Sequence, residues 1–150
     1  MNYNPPVTAD FLRGAAFHEA GHVVVARFLG LTVGKIEIGD DGSGNTKIGS
    51  AKHLPLIDQI ALCVAGIEAE ALFNVPEFKH AALIDYQRVS ILLEGITPDE
   101  SFECRNAAYG RALEILKKHM SEIEQLANRL IEEKHIDASV WAVEPAATNE

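Results

Sequence analysis

Phe17-His18-Glu19-Ala20-Gly21-His22-Val23-Val24-Val25 is the stretch whose reading decides this chain. It places His-Glu-x-x-His inside an apolar segment. Phe11, Ala15, His18, His22, Val25 and Leu29 recur at steps of three and four, the spacing of a single helical stripe. The pattern predicts one helix from about Ala9 to Leu29. Thr8 is the expected N-cap, Asp10 suits the positive end of the helix dipole, and Gly30 suits a left-handed C-terminal position. The other faces are rich in Ala, Gly and Val, so neighbours are expected on all sides. Ala20 and Gly21 leave room for one of them to come close.

Two imidazoles four residues apart lie on one helix face and can share a zinc ion. Glu19 stands about 100° round the helix, where a carboxylate reaches a water on the metal without ligating it. This is the pattern of a zinc-dependent peptidase: the metal activates water near neutral pH and polarises the scissile carbonyl. Glu19 serves as general base and then passes the proton to the leaving amine.

Outward from this helix the period changes. Val33 to Ile38 alternates as a strand, Gly39 to Asn45 is a loop by composition, and Thr46 to Ala51 is a second strand that completes a hairpin. Exposed at an edge, the strand around Lys35 to Ile38 would hold an extended substrate by backbone pairing. Pro55 opens a second helix, Leu56 to Phe73, which is apolar until Glu68 and Glu70. A third runs from His80 to Leu93 and ends at Gly95. Thr97-Pro98-Asp99-Glu100 is a capping signal. From there to Lys134 the pattern is helical, with Leu113, Leu116, Met120, Ile123, Leu126 and Leu130 as its apolar face; it fits one long helix or two joined near His119 to Ser121. Asp137 caps a short last turn carrying Val140 and Trp141, and residues 1–7 and 144–150 read as loose ends.

A catalytic zinc needs a third protein ligand. His53, His80, His119 and His135 are available, but each reads more simply as a solvated side chain. Asp85 occupies a position on the Ala82, Asp85, Val89, Leu92 stripe where an apolar residue is expected, and a buried carboxylate needs a cation. The simpler alternative is a surface Asp paired with Arg88. Glu68 and Glu70, in their Ala-rich segment, are rivals that periodicity does not separate from Asp85.

Composition limits the remaining choices. The chain has 150 residues, 47% hydrophobic and 23% charged, which suits one domain with its core between about residues 8 and 137. With a net charge of −9 and no basic patch, nucleic acid is not an expected partner. Cys63 and Cys104 form no CxxC pattern and read as reduced thiols, Cys63 as a small core residue. There is no signal-peptide pattern at Met1 to Pro6. The apolar runs are broken by Arg27, Glu68 and Glu70, short of the roughly 20 residues of a membrane span. The expected location is cytoplasmic, with no membrane partner.

His18-Glu19-Ala20-Gly21-His22, then Ala65-Gly66, Ala69-Glu70 and Leu72-Phe73, then an isolated Asp85, together resemble the peptidase domain of the FtsH family, membrane-anchored ATP-dependent zinc proteases. Ile115-Leu116, Leu126-Ala127 and Leu130-Ile131-Glu132 resemble that domain's C-terminal helices. The likeness covers about residues 10 to 137. It implies a mainly α, zincin-like metallopeptidase domain with a small β-hairpin and the His-Glu-x-x-His helix buried at its centre. It also implies Zn2+ held by His18, His22 and Asp85, with Glu19 as catalytic base. Glu70 matches a family glutamate near the site that is not a ligand; Glu68 inherits no role. The family's ATPase domain and membrane anchor have no counterpart here. The Gly- and Thr-rich approach to its aspartate is replaced by Phe78-Lys79-His80-Ala81-Ala82-Leu83-Ile84. The expected substrate is therefore an unfolded or flexible polypeptide, with a separate ATPase and a homo-oligomer as further partners. Tyr86, His53 and His80 are the candidates for oxyanion stabilisation. Two other readings stand beside the peptidase: an inactive zinc-binding module that captures peptides or protein partners, and a metal-free helical interaction domain.

Overall fold

A computed structural model describes residues 8–77 and 79–140; Phe78, Trp141 and the two ends read above as loose lie outside the described residues. Five helices and a small antiparallel sheet follow in the order α1 (Thr8–Phe28), β1 (Val33–Ile38), β2 (Gly44–Ile48), α2 (Leu56–Leu72), α3 (Lys79–Leu92), α4 (Pro98–Lys118), α5 (Met120–Glu133) and β3 (His135–Asp137), closed by a 3-10 turn at Ala138–Val140. The protein is thus mainly helical, as the periodicity predicts.

α1 lies at the centre, packed against α2, α4, α5 and the sheet. Its burial is continuous from Gly14 to Ala26. Gly30 ends it at φ 81°, with Leu31 N–H donating to Ala26 O at 2.9 Å and Gly30 N–H to Arg27 O at 3.0 Å, the double bond of a left-handed C-terminal cap. Phe17, Val23, Val25, Ile36, Ile115, Leu116, Ile123 and Leu130 fill the core around α1. Ile60, Val64, Val89, Leu93, Ala108 and Ala112 form a second cluster between α2, α3 and α4.

The sheet differs from the expected hairpin. Its order is β2-β1-β3, with both pairs antiparallel. Ile36 lies opposite Thr46 on one side and Ile136 on the other. The strand holding Lys35 to Ile38 is therefore central, with its backbone already paired, and cannot receive a substrate strand; β2 and β3 are the edges. β3 forms because Lys134 takes a left-handed conformation (φ 62°) that turns the chain out of α5 and alongside β1. The tail helix is two helices: the backbone of His119 (φ −124°) leaves helical geometry between α4 and α5. This break rotates the apolar face, so Ala108, Ala112, Ile115 and Leu116 are buried on α4 while Met120 is exposed. Thr97 caps α4 by accepting from Glu100 N–H at 3.3 Å, and Asp137 accepts from Ser139 N–H at 3.0 Å to hold the final turn. Among the described residues, no helix is long and apolar enough to cross a membrane.

Candidate metal centre

Small residues set the site. A Cβ on Gly21 would lie 2.6 Å from Ala69 Cβ and 2.7 Å from Ala65 O, so α1 and α2 cross at backbone contact. One turn along, a Cβ on Gly66 would lie 2.6 Å from His18 Nε2. Gly66 is the gap into which the imidazole fits. α3 packs on α2 and brings Asp85 to the same place.

Three side chains converge there. Nε2 of His18 and Nε2 of His22 are 3.1 Å apart, and Oδ2 of Asp85 lies 3.0 Å from the first and 3.2 Å from the second. All three residues are buried, with 3%, 8% and 3% of their surfaces exposed. Among the described residues, these are the His and acidic side chains whose ligand atoms could hold a metal ion together.

The outer ring nitrogens decide what the inner ones offer. Nδ1 of His22 lies 2.9 Å from the carbonyl of Leu62, which only accepts, so Nδ1 carries the proton. Nδ1 of His18 donates to Oε1 of Glu70 at 2.6 Å. In its neutral form each imidazole therefore turns an Nε2 lone pair inward, toward the lone pairs of Asp85. Three acceptors at 3.0–3.2 Å repel one another unless a cation stands between them. Donor atoms of a tetrahedral zinc site, each about 2.0–2.1 Å from the metal, stand about 3.3 Å apart, so the spacing fits.

A proton takes up part of this demand when no metal is bound. Burial opposes charge on His18, but hydrogen bonds to Asp85 and Glu70 outweigh it and raise its pKa to about 10. Burial likewise opposes charge on Asp85, yet its contacts with the His18 and His22 rings, foremost with the protonated His18, hold its carboxyl well below the usual range. The Arg88 guanidinium, largely exposed and 3.9 Å from Asp85 Oδ1, is a peripheral partner; the simple Asp–Arg surface pair does not describe this residue.

Glu70 has a part that sequence reasoning left unassigned. It is buried, outside the ligand set, and holds the His18 ring, the position of a carboxylate behind a metal-ligating imidazole. Burial raises its carboxyl above the ordinary range despite the His18 bond, and Oε2 has no hydrogen-bond partner. Its spacing from Ala65-Gly66 was the available signal. Glu68 is only half-buried and stays outside the converging group, as do His53, His80 and His135, which are exposed. His119 is half-buried and packs on Phe28 with ring centroids 5.6 Å apart. Cys63 is half-buried rather than core, its thiol pushed up to about 11 by burial and by the Asp85 charge. Tyr86 is exposed on the outer side of α3 and lines a shallow depression of about 480 Å³ with Leu83, Gln87, Ser90 and Ile91, away from the inward-facing Asp85.

Glu19 is buried beside the converging group but is not part of it. Its Oε1 accepts a hydrogen bond from Thr46 Oγ1 at 2.6 Å. Gly44 lies over the same carboxylate, where a Cβ would come within 2.9 Å of Oε2. Compared with known proteins, the chain matches no family model and has no significant match among curated proteins.

Proposed function

We propose that the chain is a zinc-dependent metalloendopeptidase domain of the FtsH type, acting on unfolded or flexible polypeptides. The observation that carries the reading is the convergence of three lone-pair donors, His18 Nε2, His22 Nε2 and Asp85 Oδ2, with a non-ligating carboxylate beside them. Zinc in that position supplies a Lewis acid that makes water a nucleophile near neutral pH and polarises a peptide carbonyl. Two histidines and one carboxylate leave one position of a tetrahedral site open, as catalysis requires.

The protein's own groups do the rest. Glu70 and the Leu62 carbonyl fix both imidazoles in the tautomer that offers Nε2. Glu19 takes the proton of the attacking water and delivers it to the leaving amine. β2 is the sheet edge next to Glu19, so its unpaired side is the place for an extended substrate to add as a strand. Such docking requires a locally unfolded chain; folded substrates would need a separate ATPase.

The test is hydrolysis of an unfolded casein-type substrate with zinc present. Wild-type protein is expected to cleave it and lose the activity with a chelator. Glu19→Gln is expected to keep zinc and lose turnover by at least about a hundredfold. Equal activity in the two proteins would overturn the mechanism. Zinc and peptide binding without turnover in wild type would establish the inactive binding module instead.

A further inference from the structure

We infer that Thr46 is a positioning residue for Glu19, and that the edge strand β2 is built to hold this carboxylate as well as to border it. The inference rests on the peptidase reading for its catalytic meaning, but its structural content stands apart from it.

Alternation along β2 turns Gly44, Thr46 and Ile48 to the same face. This face packs against α1. Ile48 joins the core there. Across the ladder, Ile36 opposite Thr46 and Ile38 opposite Gly44 are buried core residues. Gly44 is exposed and Thr46 half-buried at the border of this face. One position has no side chain and the other has a hydroxyl, and both meet the same carboxylate. Gly44 leaves the space that Oε2, Cδ and Cγ of Glu19 fill; a Cβ would lie 2.9 to 3.1 Å from them. Thr46 donates to Oε1 at 2.6 Å, the short distance of a charge-assisted O–H···O⁻ bond.

The consequence is orientation. A glutamate has three rotatable side-chain bonds, and leaving it free would spread the carboxylate over many positions. With Oε1 bonded to Thr46, the base is fixed relative to the strand along which a substrate would pair. Base and substrate backbone then share one frame, and misplacement of a catalytic group by about 1 Å costs up to about a hundredfold in rate.

Thr46→Val removes the hydroxyl at nearly constant volume, and Thr46→Ser restores it. Thr46→Val is expected to retain one zinc per chain and the wild-type KM, with kcat lowered about tenfold to a hundredfold. Thr46→Ser should recover most of that loss. A second readout needs neither metal nor turnover: a double-mutant cycle of Thr46→Val and Glu19→Ala on urea unfolding of the metal-free protein. The expected coupling is about tenfold in the unfolding equilibrium constant. A coupling below about twofold overturns the inference, as does Thr46→Val turning over at the wild-type kcat. If wild-type protein hydrolyses nothing, the peptidase reading fails by itself, and the cycle alone decides whether Thr46 holds Glu19.

Discussion

Oδ2 of Asp85 lies 3.2 Å from Nε2 of His22 across 63 residues of chain, on a helix that reaches the histidines only by packing on α2. An Nε2 lone pair facing a buried carboxylate is a poor contact unless a proton or a metal ion lies between them, and the arrangement could hold such an ion. Asp85→Asn keeps the shape and removes the charge. Zinc affinity is expected to fall by more than about a hundredfold, beyond the usual effect of a residue behind the ligands. Competition with a chromophoric chelator measures it.

Glu70→Gln should have a smaller effect on the same quantity. The amide oxygen still accepts from His18 Nδ1, but the negative charge that strengthens the imidazole as a ligand is gone. A loss of about tenfold in zinc affinity with the fold retained is expected, by chelator competition and circular dichroism. A loss as large as that of Asp85→Asn would make Glu70 a direct ligand.

Gly66→Ala and Gly110→Ala should move stability in opposite directions. At Gly66 the added methyl meets the His18 ring at 2.6 Å, so the variant should lose zinc and about 1–3 kcal/mol of stability through overpacking. Gly110 is exposed on α4 with no heavy atom within 4 Å of the added methyl, and alanine there should stabilise by roughly 1 kcal/mol. Urea unfolding of both variants checks the pair.

Stability of the metal-free protein should depend on pH from both sides. His18 is raised from 6.5 to about 10, so its contribution is complete below pH 6.5 and is lost as pH rises toward 10. Asp85 is lowered from 3.8, so its contribution is present above that value and lost as pH falls below it. Maximum stability is expected between about pH 4 and 6.5. The same His18 proton must leave for zinc to bind, so zinc affinity should rise with pH up to about 10. Urea unfolding across pH, and calorimetric proton release on zinc addition, read the two effects.

Much of the site was legible because its signals are local or periodic. His18 and His22 share a stripe by helical spacing alone, and Asp85 is conspicuous in an apolar stripe. What separates Asp85 from Glu70 is which helix face meets α1, and that depends on the Gly21–Ala65 and Gly66–His18 contacts, which periodicity does not encode. The helices were legible for the same reason, to within a residue or two at most ends. β3 was not: three residues, His135 to Asp137, are too few to show alternation, and they become a strand only by meeting β1. That unread strand is also what left an edge position open for β1 in the sequence reading. Thr46 gave no signal, since a threonine in a strand is ordinary until Glu19 is found beneath it.

The metal content of the protein, purified with neither added metal nor chelator, tests the site most directly. One zinc per chain is expected in wild type, retained in Glu19→Gln and lost in His22→Ala. Wild-type protein that carries no zinc and takes none up on titration would contradict the metal centre, and with it the peptidase reading.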